Sequence, residues 1–397
     1  MNSVKYYFHA EKFEIDLWAG SLYNNAARRF AVAGERSGIG ITQKTIARDL
    51  KISLITVSRV FNNSGYVSKE LRKRILSYAQ EVAYKPNRAS QVLVRNTIRT
   101  IAVFSSPLPE YFWNDIKRGI HQAWEQIKAF NYEVHYHQIP EFNTQKYCAL
   151  LSEEIRNGLD AAAFVCKDTF DMNLIIDIVE KAGIPYLFFN VDAPGTGRLC
   201  YIGSDYRCGG RLAANFIGKS LSMKLSKRVL IMGFMRKDSM YTAMQDINAE
   251  RLAGFLSVMR EQYPDISCAV EYVNSGPKEL DIEFQIFRIL KKYRMKTDAV
   301  YFIPAYNDTY LRALKEYDYR GLITLQHDID DSAIDCLASN ILTAVVYQNP
   351  VLQGYLVVRT LEKILESKTG KQQEDIKIAH TLIFRENIDF LQNHYLI

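Results

Sequence analysis

From Arg99 onward the chain alternates short apolar runs with amphipathic helical segments. Runs such as TIAVFSS, DAAAFVC and IPYLFFNV alternate with helix patterns such as WNDIKRGIHQAWEQIKAF, and a second series of the same kind begins at RVLIMGF. Strand–helix alternation produces parallel sheets covered by helices on both faces, because each crossover between parallel strands carries a helix. The pattern therefore predicts two similar α/β lobes, at approximately residues 100–205 and 206–325, followed by C-terminal crossovers.

A short basic segment precedes the α/β region. Residues 41–99 contain twelve Lys or Arg and three Asp or Glu, a net charge of +9, whereas the whole chain carries +6 and the remainder therefore −3. A basic segment on a near-neutral body is typical of a nucleic-acid-binding domain, because its positive side chains attract phosphates. A merely solvated basic face is the alternative interpretation, and the order of residues within the segment favours the first.

Apolar residues in this segment recur at helical spacing. Thr42 is the predicted N-cap of a short helix, QKTIARDL, and Ser53 that of a second helix in which Val57 and Val60 face inward. Helices this short are not stable alone in water, and a third predicted helix, Lys69–Ala83, supplies an apolar stripe that closes a small core. Residues 41–86 are therefore predicted to form an all-α helix-turn-helix head.

Three ordered motifs in this segment resemble the head and hinge of the lactose/galactose repressor family. They are T-x-x-x-I-A-x-x-L-x-I-S-x-x-T-V-S-R-V-x-N, V-S-x-x-x-R-x-R-I and Y-K-P-N-R-A-S-Q-x-L. The resemblance implies that a recognition helix lies in the major groove, where Leu54 and Ile55 meet base edges and Arg59 reads a base further along. The residues implied to hold phosphates are Thr56, Ser58, Asn62 and Ser68.

Leu54 and Ile55 depart from the family pattern, which often places polar or aromatic readers at these positions. Aliphatic side chains cannot exchange hydrogen bonds with bases, although they can contact thymine methyl groups. The operator sequence is therefore not predicted. The alternative role for both residues is to extend the small core of the head.

Residues 87–99 are predicted to form a hinge helix and linker. The stretch NRASQVLV is too short and too basic to be a stable isolated helix, so we expect it to fold only on DNA. The resemblance implies that two such helices pair across a dimer axis and push Leu93 of each subunit into the minor groove. Arg88 and Gln91 would support it from the groove edges, and Asn87 is also a candidate DNA contact. A plain interdomain linker is the alternative.

The resemblance extends to about residue 390. Matching segments are F-W-x-x-x-x-x-G-I at 112–120, I-G-x-D-x-x-x-G-G-R-x-A-A at 202–214, E-R-L-A-G-F at 250–255, H-D at 327–328 and Q-N-P-x-x-Q-G-Y at 348–355. It implies that residues 100–397 form a two-lobed α/β domain of the type I periplasmic-binding-protein-like class, with parallel sheets, that binds an effector and dimerises. The last motif resembles the sugar-sensing branch.

A sugar or polyol effector requires planar charged groups that hold adjacent hydroxyls and aromatic faces that cover the ring. Arg251 is the candidate bidentate clamp, with a structural ion-pair partner as the alternative. Asp205 and Asp328 each follow a predicted strand and are placed to accept hydroxyl hydrogen bonds from opposite walls of a cleft between the lobes. A helix cap is the alternative role for Asp205.

Four further residues complete the predicted effector site. Tyr111 or Trp113 would stack on the ring, and Asn190 and Asn307 would add amide contacts. A core position is the alternative for Trp113.

The sequence predicts no catalytic site, metal site or cofactor. It lacks a G-x-S-x-G elbow, a Gly-rich phosphate loop and a histidine pair at metal spacing. His135 and His137 alternate on a predicted strand and point to one face, but two ligands without a third do not predict a metal ion. The six cysteines include no Cys-x-x-Cys pair, which predicts reduced thiols.

The sequence also bears on where the protein resides, and it leaves the role of residues 1–40 open. No apolar run approaches the roughly 20 residues of a membrane helix, and the N-terminus lacks the order of a signal peptide, so we expect a cytoplasmic protein without membrane contact. Residues 1–40 precede the usual start of the family's head. An ordered appendage, a partner-binding arm and an upstream-extended reading frame all remain open for them.

Taken together, these features predict a homodimeric regulator, most simply a repressor. It would bind double-stranded operator DNA with an affinity coupled to a small effector, most simply a sugar. One alternative is the same framework sensing a purine or another non-sugar metabolite. The other is a transport-type binding protein or a sugar-modifying enzyme with a fortuitously basic N-terminus, which predicts an export signal or a catalytic pair.

Overall fold

The structure is a computed structural model that describes most of the chain after residue 40. The described ranges are 41–61, 66–82, 84, 97–140, 143–167, 170–236, 242–275, 279–303, 307–367 and 372–389. Within them, nothing is described of the side chains of 234–236, 242–246, 274–275, 279–281 and 307. Contacts divide the chain into two units between residues 90 and 91.

The first unit contains three short helices, α1 (Gln43–Asp49), α2 (Leu54–Phe61) and α3 (Lys69–Glu81). Thr42 forms a reciprocal capping box at the start of α1, and Ser53 Oγ accepts the Thr56 amide at 3.0 Å. The two predicted caps are therefore present. A small core closes the unit, and its fully buried side chains are Ile46, Val57 and Ile75.

The second unit begins with a lobe built on a parallel sheet. Its strands are β1 (Arg99–Ser105), β2 (Tyr132–Gln138), β3 (Leu159–Phe164), β4 (Tyr186–Phe189), β5 (Tyr201–Ser204) and β11 (Ile376–Ile378). Their order is β11-β5-β4-β3-β1-β2. The helices packed on it are α4 (Glu110–Ile127), α5 (Thr144–Arg156), α6 (Met172–Lys181) and α12 (Pro350–Glu366). We call this the N-terminal lobe.

The other lobe, which we call the C-terminal lobe, repeats this architecture. Its strands are β6 (Arg228–Arg236), β7 (Ser267–Ser275), β8 (Ala299–Phe302), β9 (Ile323–His327), β10 (Ala344–Tyr347) and β12 (Thr381–Ile383). Their order is β12-β10-β9-β8-β6-β7, and only β12 runs antiparallel to its neighbour among the described pairs. The helices are α7 (Tyr206–Leu221), α8 (Thr242–Gln262), α9 (Glu279–Tyr293), α10 (Asn307–Glu316) and α11 (Asp331–Ala338). Short 3₁₀ turns span Lys128–Phe130 and Arg385–Asn387.

The described chain passes between the lobes after β5, after β10 and between β11 and β12. The C-terminal lobe extends to Tyr347, beyond the expected boundary near residue 325, because β9 and β10 continue the sheet from β8. The prediction of two α/β lobes with parallel sheets is confirmed. Within the described residues, no helix combines the length and the apolar character needed to span a membrane.

Helix pairs in the two lobes cross at glycines. The α7 and α8 helices meet at Gly210 and Gly254, and α4 and α12 meet at Gly119 and Gly354. A Cβ atom at Gly210 would overlap the carbonyl oxygen of Arg251. Because only glycine allows backbones to approach this closely, the contact fixes the position of the α8 backbone at Arg251.

Candidate DNA interface and effector cleft

The α2 helix presents two different faces. Val57 and Val60 are buried in the core, whereas the side chains of Leu54 and Ile55 are 46% and 64% exposed. The alternative that these two residues extend the core is therefore wrong. Arg59 is also exposed, in the last turn of α2, so the three predicted base-reading residues all lie on accessible parts of one short helix.

The predicted phosphate contacts lie partly within the described residues. Thr56 Oγ1 and Ser53 Oγ are 2.8 Å apart, and Ser68 caps α3 by accepting the amide of Leu71. A hydroxyl that accepts in a cap can still donate its hydrogen to a phosphate oxygen. Ser58 is partly buried on α2. The other predicted contacts lie outside the described residues and stay predictions: Asn62, Asn87, Arg88, Gln91 and Leu93.

Arg251, on α8, is the charged centre of the second unit. Its side chain is 4% exposed, and Nη1 donates to the carbonyl oxygen of Ile303 at 3.0 Å. Nη2 lies 3.7 Å from Asp328 Oδ2, and the guanidinium carbon lies 5.5 Å from the centre of the Tyr206 ring. The ion pair that the sequence left as an alternative is therefore present.

Asp328 follows β9 directly and has a left-handed backbone conformation, with φ of 63°. It is 6% exposed, and its carboxylate accepts a hydrogen bond of 2.8 Å from Gln348 Nε2. Burial raises the pKa of Asp328, while the charge of Arg251 and the Gln348 hydrogen bond act against that rise. The site thus holds a carboxylate between a cation and an amide.

Asn190 and Tyr206 connect the two lobes beside this pair. Asn190 is buried, has φ of 60°, and its carbonyl oxygen accepts hydrogen bonds of 2.7 Å from the hydroxyls of Tyr201 and Tyr206. Tyr206 is the first residue of α7, so its ring lies between a backbone group of the N-terminal lobe and the guanidinium of Arg251. Asn190 thus acts through its backbone in these contacts.

A cavity of about 500 Å³ lies between the lobes near Tyr111. The residues that line it are Tyr111, Asn114, Asp115, Arg118, Asp308, Ile329, Asp330, Asp331, Ser332 and Ile334. Burial raises the pKa of the Tyr111 phenol well above its usual value, and the charges of Asp328 and Asp330 raise it further. Tyr111 therefore lies close to the Arg251–Asp328 pair as well as to the cavity.

Several buried polar atoms of this region make no hydrogen bond to the described residues. Among them are Tyr111 Oη, Arg251 Nε and Gln348 Oε1. An unsatisfied buried donor or acceptor costs about 1–3 kcal/mol, so native proteins pair such atoms with water or with a ligand. Their grouping favours a polar ligand at this position.

Two predicted effector ligands have other roles in the structure. Trp113 is only 3% exposed, lies in the core of the N-terminal lobe and donates from Nε1 to the Leu108 carbonyl oxygen at 2.9 Å. It therefore has no exposed face on which a sugar could stack. Asp205 is the N-cap of α7, where it accepts the amide of Cys208 at 2.9 Å. The side chain of Asn307 lies outside the described ones.

Sequence reasoning missed Tyr206 and Gln348. Both stand in motifs that were recognised: Tyr206 follows Asp205 in the segment 202–214, and Gln348 opens the segment 348–355. Both residues therefore lay in recognised motifs, but a tyrosine or a glutamine does not by itself indicate a ligand site. The contacts with Arg251 and Asp328 that distinguish them arise only in the folded chain.

The chain matches two known domain families. Residues 42–87 match the bacterial regulatory proteins of the lacI family, and residues 101–371 match the periplasmic binding protein domain. The chain belongs to the lacI family of bacterial regulatory proteins. The prediction of a regulator rather than an enzyme agrees with the names of curated relatives such as RegA, DegA and GntR, although the chain spans only 26% to 43% of their lengths.

Individual relatives cover different parts of this lacI-family chain. The HTH-type transcriptional regulator RegA of Clostridium acetobutylicum is 32% identical over 91 residues, which are 23% of this chain and 26% of RegA. A putative LacI transcriptional regulator from Bacteroides fragilis has a TM-score of 0.63 at 17% identity, over 74% of this chain and 99% of that one. A solute binding protein from Burkholderia graminis, solved in complex with D-arabinose, has a TM-score of 0.60 at 18% identity, over 76% and 98%. These structures share the fold of the second unit.

Proposed function

We propose that this lacI-family chain is a homodimeric transcriptional repressor whose affinity for operator DNA is controlled by a neutral sugar or polyol bound between its two lobes. The observation that carries the proposal is the presence of two unlike sites in one chain. One is an exposed reading face on a basic head, and the other is a buried polar cluster beside a cavity.

The head supports sequence-specific DNA binding. Leu54 and Ile55 offer apolar contacts to thymine methyl groups, and Arg59 can donate two hydrogen bonds to a guanine. The surrounding positive charge favours approach to phosphates from any direction, which supplies affinity without specificity. The family resemblance implies that two heads act together on a palindromic site.

The cleft supports a neutral, hydroxyl-rich effector. Four carboxylates and one guanidinium line the cavity, from Asp115, Asp308, Asp330, Asp331 and Arg118. Carboxylates accept hydrogen bonds from hydroxyls but repel phosphate or carboxylate groups, so this lining disfavours an anionic effector. The solute binding protein from Burkholderia graminis, which shares the fold, was solved with D-arabinose, and this agrees with the proposal.

Contacts between the lobes provide a route for coupling. The Tyr206 hydroxyl binds the Asn190 carbonyl across the lobes, and Ser204 Oγ donates to the Gln348 carbonyl oxygen at 3.3 Å. A ligand that contacts both walls would change the relation of the lobes and thereby the ordering of the hinges on DNA. Typical allosteric couplings are worth about 1–3 kcal/mol, which corresponds to roughly 5–150-fold in operator affinity.

The DNA-binding part is tested with the full-length protein and a random double-stranded DNA library. We expect a selected sequence to emerge and Arg59→Ala to weaken its binding by about tenfold, since a bidentate base contact is worth about 1–3 kcal/mol. Arg260→Ala is the matched control, because Arg260 is exposed on α8. No enriched sequence, or equal affinities for Arg59→Ala and the wild type, would contradict DNA reading by α2.

The effector part is tested by thermal melting of the same protein with aldopentoses, aldohexoses, inositol and nucleobases. A ligand that binds only the folded state raises the melting temperature, and it must also change the affinity for the selected DNA. Stabilisation by a nucleobase alone would replace the sugar with a purine. Stabilisation without a change in DNA affinity would contradict the coupling.

A further inference from the structure

Three metal-binding side chains meet at the edge strand of the N-terminal lobe. His135 Nδ1 lies 2.8 Å from Glu154 Oε2, and His137 Nε2 lies 2.9 Å from Glu154 Oε1. One ligand atom from each of the three residues lies within 4.8 Å of the other two. None of them lines the cavity near Tyr111, so the cluster is separate from the proposed effector site.

The fold supplies the third ligand that the sequence alone did not show. His135 and His137 lie two residues apart on β2 and therefore point to the same face of the sheet. Glu154 lies on α5 three residues after Leu151 and seven after Tyr147, both of which are buried. Glu154 thus occupies a position of the apolar stripe on α5 and faces the two histidines.

The burial of Glu154 makes this arrangement unusual. Its side chain is 9% exposed, whereas those of His135 and His137 are 39% and 21% exposed. A carboxylate on the buried face of a helix is costly unless it is paired. The two imidazoles pair it by donating one hydrogen each, to different oxygens of the carboxylate, and the same three side chains form a partly accessible ligand set for a cation.

We propose that His135, His137 and Glu154 bind one divalent transition-metal ion of the Zn²⁺ class. Two imidazoles and one carboxylate form a common zinc donor set, and solvent can reach the fourth position past the partly exposed histidines. Ligand atoms around one zinc ion are about 3.3 Å apart, given metal–ligand distances of about 2.0–2.1 Å. One ligand atom of each residue already lies within 4.8 Å of the other two, so metal binding would require side-chain rotations to reach this geometry.

The surroundings of the histidines favour metal binding. When Nδ1 of His135 binds a metal, its hydrogen must reside on Nε2, and Glu133 Oε2 lies 3.7 Å from that nitrogen. A carboxylate in this place orients a metal-binding histidine and raises its basicity. The ring of His137 packs 5.1 Å from the ring of Phe104, which restricts its orientation. A bound ion would tie α5 to β2.

The test uses full-length protein freed of metal with EDTA and titrated with Co²⁺ and then Zn²⁺. We expect one equivalent of Co²⁺ to produce visible d–d absorption, Zn²⁺ to abolish it, and Zn²⁺ to raise the melting temperature. His135→Gln, His137→Gln and Glu154→Gln should each lose the cobalt spectrum, and Glu133→Gln should weaken binding by about 10–100-fold. His121→Gln is the matched control, because exposed His121 also lies near a glutamate, Glu125, at 3.9 Å.

Circular dichroism verifies that each variant is folded before titration. Absence of stoichiometric binding to the wild type would overturn the proposal, as would a cobalt spectrum that persists in the folded Glu154→Gln protein. If the variants unfold, the wild type decides: EDTA must lower the melting temperature of the zinc-loaded protein, and no change would overturn the site.

Discussion

The head and the effector cleft use opposite designs for their functional residues. The reading face of the head lies on one eight-residue helix, and two of its side chains are 46% and 64% exposed. The cleft collects buried or partly buried groups from separated parts of the chain, among them Tyr206, Arg251, Asp328 and Gln348. One surface is local and accessible, and the other is distributed and enclosed.

Because of this difference, substitutions in the reading face should affect DNA binding alone, whereas substitutions in the cleft should affect both ligand binding and stability. An exposed side chain contributes little to the free energy of unfolding, so its removal affects mainly ligand binding. A buried charge with a single ion partner contributes to both, because its removal leaves the partner without compensation. Substitutions in the two regions should therefore have measurably different signatures.

The largest effect is expected from Arg251→Met. This variant preserves most of the apolar volume but leaves the Asp328 carboxylate buried without its cation, so we expect a loss of about 3 kcal/mol in unfolding free energy. Urea denaturation followed by circular dichroism measures it. Arg260→Met, on an exposed part of the same helix, should remain within about 0.5 kcal/mol of the wild type. Equal stabilities for the two variants would show that the Arg251–Asp328 pair does not contribute to the free energy of unfolding.

The same contrast explains what could be predicted from the sequence. Helical periodicity and caps identified α1, α2 and the inward positions of Val57 and Val60, because these features depend on neighbours within a few residues. The alternation of strands and helices predicted both lobes for the same reason. The boundary between the lobes was harder to predict. It depends on the pairing of β9 with β8 and of β10 with β9, and the local sequence pattern does not indicate which strands pair.

The cleft was predicted less completely for a related reason. Arg251 and Asp328 were selected by residue type and position, and the structure brings them together. Trp113 and Asp205 were selected by the same logic, yet one is a core residue and the other a helix cap. Residue type indicates which chemistry is possible, whereas only the folded chain decides which partner satisfies it.

Acid should lower the stability of the second unit and leave that of the head nearly unchanged. Burial and the nearby charge of Arg251 lower the pKa of His380 to about 4, and they hold that of His327 well below its usual value. Unfolded histidines titrate near pH 6.5, so between about pH 6.5 and 4 the unfolded chain binds protons that the folded chain refuses. The contribution of these two histidines to the free energy of unfolding is therefore fully present above about pH 6.5 and is lost as the pH decreases. For His380 alone the loss approaches about 3 kcal/mol at pH 4.

Urea midpoints measured between pH 7.5 and 5, where most carboxylates remain charged, test this expectation. His380→Gln should flatten the decline, and His121→Gln, which changes an exposed histidine, should leave it unchanged. The segment 41–99 contains no histidine, so hydrogen exchange in α1–α3 should show little dependence of the head's stability on pH over this range. A pH dependence that is identical in His380→Gln and the wild type would contradict the assignment.

The smallest expected effect on stability lies on α2, where Ile55 and Val57 stand two residues apart with opposite environments. Ile55→Ala removes an exposed side chain and should change the stability of the head by less than about 0.5 kcal/mol, whereas Val57→Ala opens the core and should cost about 2 kcal/mol. Hydrogen exchange of the α1–α3 amides measures both. Affinity for the selected DNA should fall for Ile55→Ala without any loss of protection, because the contact that disappears exists only in the complex. If Ile55→Ala instead loses protection as Val57→Ala does, Ile55 contributes to the core of the head. The contrast between an exposed reading face and an enclosed cleft would then be wrong.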